Sequence, residues 1–214
     1  MLPLHAQGNP EYREFRLGSS LAQVLSQVQL TESDVSRVRA RPAVIQDVRW
    51  TTPFFIGDTI EPQKDPVERI VFSFVDNQLF RLGIDYERTR TEGMTDADMI
   101  AALSGRYGPS TPPLTPAKPS IFDRAGVETS RRLAQWTDGD AIVVLSRSAF
   151  TEAFQLVVTS AHLDALARAA TAEAVRLELR EAPARDAAQR KQDADDARLG
   201  KEKARLANKA AFQP

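Results

Sequence analysis

The strongest constraint on this chain is a pattern that runs twice. Residues 18–28 start at Gly18 and read as an amphipathic helix, and apolar strand-like segments follow as far as Tyr86. Residues 93–103 start at Gly93, read as a second helix, and lead into further strands ending near Thr159. Each half carries one tryptophan, Trp50 and then Trp136. A helix with one apolar stripe and strands with one apolar face must cover each other. The expected fold class is therefore α+β: two tandem helix-plus-antiparallel-sheet units forming one domain, with a long C-terminal helix and charged tail.

Local chemistry supplies the boundaries. Gly18-Ser19-Ser20 places a serine cap ahead of Leu21, Val24, Leu25 and Val28, which share one helical face. Thr31-Glu32-Ser33-Asp34 predicts the start of another helix, which Pro42 would end. Residues 43–50 read as a strand. Residues 51–66 hold Pro53, Gly57, Pro62 and Pro66, so they read as a loop. The clearest element is a hairpin: residues 67–75 alternate, Asp76-Asn77-Gln78 supplies a turn, and residues 79–86 return.

In the second half Thr95 is expected to cap a helix whose stripe is Met99, Ile100 and Leu103, with Asp96 and Asp98 favoured near its N-terminus. Gly105 and Gly108 are expected to stop it. Residues 109–119, with Pro112, Pro113 and Pro116 inside, read as a stiff extended linker. Strands follow at 127–136, 141–148 and 154–159, the first two joined by Asp138-Gly139-Asp140. Beyond Ser160, the spacing of Leu163, Leu166, Ala170, Ala174 and Leu177 predicts a long Ala-rich helix, interrupted at Pro183. The rest is almost entirely Ala, Lys, Arg, Asp and Gln. Leu199, Leu206 and Phe212 are too few there for a coiled coil.

The expected organisation is residues 1–13 as a signal-peptide remnant or disordered N-terminus, 14–90 as the first unit and 91–160 as the second. A helix over 161–182 and a charged helical or disordered tail over 183–214 complete it. A chain of 214 residues can bury one large core or two small ones that share it. Its hydrophobic fraction of 42% and mean hydropathy of −0.35 suit ordinary globular protein. A net charge of −1 gives no global field to gather nucleic acid or anionic lipid. No apolar run approaches the roughly 20 residues of a spanning helix. At the N-terminus, Leu4-x-Ala6 resembles a secretory cleavage site, which predicts a periplasmic or secreted protein, or a cytoplasmic one if Met1 is the true start.

Chemical motifs are sparse. Cysteine is absent, which excludes disulfides and thiolate chemistry. The histidines are His5 and His162, and no Gly-x-Ser-x-Gly elbow accompanies them. No phosphate-cradling glycine loop occurs. Asp193, Asp195 and Asp196 lack the glycine and closing glutamate of a calcium loop. Asp138 and Asp140 flank a turn glycine. No catalytic residue, metal site or cofactor is expected. Phe54, Phe55 and Ile56, apolar residues in a proline-punctuated loop, are the candidate partner-binding residues. Arg37, Arg39 and Arg41 lack the aromatic interleaving of a nucleic-acid site.

The opening Phe15-Arg16-Leu17-Gly18-Ser19-Ser20-Leu21-Ala22-Gln23-Val24 resembles the phrase that starts the first helix of BamE (SmpA/OmlA)-type periplasmic domains. The tandem arrangement is similar to the β-lactamase inhibitor protein fold, and the separation of Gly18 from Gly93 is compatible with it. The resemblance covers about residues 15–159. It departs in the Pro-rich loop of the first half, the Pro linker of the second and the helical extension, and it carries over no active residues. It implies a non-enzymatic exported module that binds a protein partner or scaffolds the envelope, with no nucleic acid and no direct membrane insertion. The alternatives are an inhibitor of a secreted hydrolase and a cytosolic adaptor binding through its charged C-terminal helix.

Overall fold

The computed structural model of the protein describes residues 11–52, 66–112 and 130–211. The chain divides into two units, Met1–Thr171 and Ala172–Pro214. The first begins with a two-stranded ribbon, β1 (Glu11–Tyr12) and β2 (Phe15–Arg16), so residues 11–13 are structured rather than part of a disordered leader. Tyr12 and Phe15 are buried, and the Phe15 ring meets Phe72 edge-on at 4.8 Å.

The helix starts follow the capping chemistry of the sequence. Ser20 accepts the N–H of Gln23, whose side chain accepts the N–H of Ser20 in return at 3.0 Å, and α1 (Leu21–Val28) begins there. Gly18, at φ +86°, makes the turn into this cap and donates to the Leu79 carbonyl at 2.7 Å. Thr95 and Asp98 form the same reciprocal cap for α2 (Asp96–Tyr107). Gly105 lies inside α2, and only Gly108, at φ +82°, ends it.

The second helix expected at residue 31 is not there. Thr31 and Asp34 do pair reciprocally, but the result is one 3-10 turn (Glu32–Asp34) running into strand β3 (Val35–Arg39). Val35 and Val38 favour extended backbone, and a neighbouring strand is available to pair with it. That neighbour is β4 (Ile45–Thr51).

Next come β5 (Val67–Val75) and β6 (Gln78–Tyr86), then β7 (Ser130–Asp138), β8 (Ala141–Ser148) and β9 (Phe154–Ser160). The β5–β6 hairpin turns at Asp76 and Asn77, both at positive φ, the conformation a tight hairpin requires. All seven strands form one antiparallel sheet in the order β3-β4-β5-β6-β9-β8-β7. Two meanders therefore meet back to back at their last strands, β6 and β9.

One face of the sheet is the core. Ile70, Phe72 and Phe74 of β5 and Leu82 and Ile84 of β6 are sealed against Val24 and Leu25 of α1, while Met99 of α2 joins Trp136, Leu145, Leu156 and Val158 in the same cluster. Each such side chain contributes roughly 1.5–3 kcal/mol by leaving water. The indole N–H of Trp136 donates to the Gly108 carbonyl at 3.0 Å, which ties β7 to the end of α2. On the other face, Leu163 and Ala167 in the first turns of α3 pack with Val75, Phe80 and Ala43 at one end of the sheet.

Helix α3 (Ala161–Ala211) is continuous, with Pro183 inside it, so the expected interruption is absent. A proline inside a helix removes one backbone donor, and the Ala- and charge-rich flanks here are good helix formers. The part in the second unit is helical as far as Ala211, not disordered, and nearly every residue beyond 182 is exposed. No described helix is long and apolar enough to cross a membrane.

Candidate interaction surface

Strand periodicity decides what the second sheet face displays. With Phe72, Phe74, Leu82 and Leu156 pointing into the core, the residues between them point the other way. The register aligns those residues into rows across the strands. One row reads Arg49, Val71, Gly83, Val157, Val144 and Gln135, from β4 to β7. Val71, Gly83, Val157 and Val144 are all half-buried, and they form a shallow apolar strip. At its centre Gly83 has an ordinary negative φ, and a Cβ built there would meet only the Val71 Cβ at 4.0 Å. The glycine thus leaves a dip in the face rather than relieving backbone strain.

A polar row borders the strip on either side. Toward the β5 N-terminus run Thr51, Arg69, Asp85, Gln155, Ser146 and Arg132. There Asp85 receives Arg69 Nε and Gln155 Nε2, each at 2.8 Å, a ladder spanning β5, β6 and β9. On the opposite side run Asp47, Ser73, Arg81, Thr159 and Ile142. Burial raises the Asp47 carboxyl above the usual range, only partly offset by the Ser73 hydrogen bond and the charges of Arg81 and Arg49. Its Oδ1 is buried without a hydrogen-bond partner among the described residues. Every basic residue on the seven strands is an arginine.

The expected partner-binding residues Phe54, Phe55 and Ile56 lie outside the described residues, as does most of the Pro-rich segment 109–119. Immediately before residues 53–65, Thr52 donates its N–H to the Glu68 carbonyl at 3.0 Å. Among the described residues one aromatic is strongly exposed, Phe150 in the β8–β9 turn, at 80%.

The fold brings Ser160, His162 and Asp140 together, but as a helix cap. Asp140 accepts the Ser160 hydroxyl and the backbone N–H of His162 (2.8 Å), and Ser160 Oγ accepts the N–H of Leu163 (3.2 Å). Asp96 likewise works in an ion cluster. Burial would raise its pKa, but the hydrogen bonds and charges of Arg131 and Arg147 outweigh that and hold it below the usual value. Among the described residues no group of His, Asp and Glu side chains converges as metal ligands.

Sequence reasoning missed the valine strip because its members come from four strands and look like ordinary core residues in each. It also missed the meeting of the chain's tyrosines, Tyr12, Tyr86 and Tyr107. Burial, then the neighbouring Tyr12, pushes the Tyr86 phenol far above its ordinary pKa, and burial pushes Tyr107 up to about 12. No family model, curated protein or solved structure matches this chain.

Proposed function

We propose that this protein is a non-enzymatic binding module that docks a protein partner on the second face of its seven-stranded sheet. The observation that carries this reading is the half-buried valine strip centred on Gly83, on the face whose one end packs against α3, bordered on one side by the Arg69–Asp85–Gln155 ladder. Apolar centres with polar rims are the anatomy of protein interfaces.

The mirrored strand order, with α1 ahead of one meander and α2 ahead of the other, supports a tandem of two like units. It also favours the resemblance to BamE-type domains and to the β-lactamase inhibitor protein fold. Inhibition of a secreted hydrolase through the same face is a variant of the proposal. Export to the periplasm is part of it and is tested by fractionating cells that express the native gene.

The direct test is Gly83→Trp. The backbone there suits any residue and a Cβ meets only the Val71 Cβ at 4.0 Å, so the substitution adds no backbone strain while placing a bulky ring in the middle of the strip. The wild-type chain, immobilised, should retain an envelope protein that the variant, with unchanged circular dichroism, releases. Equal retention by both would refute docking on this face. A second reading, an adaptor working through α3, draws on the exposed Leu199 and Leu206, one heptad apart on that helix. It requires that removing residues 185–214, and not Gly83→Trp, abolishes capture.

A further inference from the structure

The two edges of the seven-stranded sheet differ in what they offer. At one edge, β3 uses the N–H of Val35 on the Glu32 carbonyl and is bulged between Arg37 and Arg39, so little regular edge remains. At the other, β7 is nine residues long. One residue of the chain itself pairs on its outer side. Thr111 donates its N–H to the Gln135 carbonyl at 2.8 Å, and Gln135 returns its N–H to the Thr111 carbonyl at 3.1 Å. The Thr111 hydroxyl donates to the same Gln135 carbonyl at 3.1 Å. Gln135 therefore turns both backbone groups away from β8.

The sequence stops this pairing after one residue. Backbone groups alternate in direction along an antiparallel strand, so Thr137 also turns its N–H and carbonyl outward. The residue that would face it in the same register is Pro109, which has no N–H to give. Thr137 and Asp138 are exposed. Among the described residues no backbone hydrogen bond reaches Thr137 from outside the sheet. On the other side of Thr111, Pro112 lacks the donor that would let a further strand pair onto this segment. The edge is stoppered by a single residue between two prolines.

We propose that β7 accepts an extended strand from a partner protein by antiparallel main-chain pairing, and that residues 109–112 are an internal plug which that strand displaces. The chemistry of the occupant follows from the edge. It presents N–H groups opposite both Gln135 and Thr137, which the plug cannot do, and it carries no proline between them. A basic residue toward its N-terminal end comes beside Asp138, which has no ion pair among the described residues. A second copy of the chain suits the edge poorly. The end of α2 lies against β7, where Trp136 bonds Gly108, and a second copy would bring its own α2 to the same place. The edge is a different surface from the docking face proposed above.

The test uses the full chain and a labelled heptapeptide of alternating Thr and Val behind an N-terminal lysine, read by fluorescence anisotropy and amide hydrogen exchange. Thr111→Pro removes the N–H and hydroxyl donors of the plug at an exposed position. It should bind the peptide about threefold or more tighter than the wild type, because a larger fraction of molecules has a vacant edge. Thr111→Val keeps the main-chain bonds and should stay nearer to the wild type. Exchange at the Thr137 amide should slow as peptide is added. The same peptide N-methylated at two adjacent central residues has a blocked donor on either edge and should not bind. Thr137→Pro in the Thr111→Pro background removes an outward N–H without breaking a bond to β8, and should abolish binding with circular dichroism unchanged.

No binding by Thr111→Pro, equal binding by that variant and the wild type, or binding of the N-methylated peptide would overturn the proposal. So would peptide binding that leaves Thr137 exchange as it was, a readout that needs no change to β7. Gly83→Trp should leave peptide binding intact. Loss of binding in that variant would move the peptide from the edge to the sheet face, ending the edge proposal while the docking reading stands.

Discussion

At the scale of single residues, two aspartates of the first unit sit in opposite electrostatic situations. Asp47 is raised by burial, so the folded chain holds its proton at a pH where the unfolded chain has released it. Its contribution to stability is complete below the unfolded value of 3.8 and is lost as pH rises through the folded value, leaving a penalty at neutral pH. Asp47→Asn removes that charge while keeping the shape. It should raise the Tm at pH 7 by about 2–4 °C per kcal/mol recovered. A calorimetric scan showing a lower Tm at pH 7 would contradict this account. Asp96 behaves in the reverse sense. Burial works against its charge, but Arg131 and Arg147 together overcome that, so its contribution is present above 3.8 and is lost as pH falls through its lowered value. Asp96→Asn should cost about 1 kcal/mol at pH 7 and less at pH 3, below the unfolded value of 3.8. Equal losses at both pH values would point to packing rather than charge.

At the scale of elements, the β5–β6 hairpin was legible because its alternation and its Asp76-Asn77 turn agree with each other. Phe74 sits on its core face with 0% exposure. Phe74→Ala should therefore cost about 3–5 kcal/mol in urea unfolding, and a loss under 1 kcal/mol would remove the hairpin from the core. The serine and threonine caps of α1 and α2 were legible for the same reason: three or four neighbouring residues settle them. Strand β3 was not, because Thr31 and Asp34 satisfy a helix start locally. What makes residues 35–39 a strand is the backbone of β4, which no short window contains. Gly105 and Pro183 teach a related lesson. Both are breakers by propensity, each costing a helix on the order of 1–3 kcal/mol, and both lie inside helices that continue through them.

At the scale of the molecule, α3 from residue 185 onward is almost wholly exposed, with Leu199 at 58% and Leu206 at 56%. Deleting residues 185–214 removes little buried apolar area, so the Tm should shift by no more than about 2 °C. A fall of many degrees in differential scanning fluorimetry would show that this segment supports the body. Alternation, capping and breaker chemistry, all local, were enough to specify an α+β chain with antiparallel strands and a long final helix. The joining of β6 to β9, the alignment of Val71, Gly83, Val157 and Val144, and the conversion of Ser160, His162 and Asp140 into a helix cap were decided only by tertiary structure. These arrangements depend on pairings between segments dozens of residues apart. Strand register is set by which faces can be buried together, and that is a property of the assembled sheet rather than of any one strand.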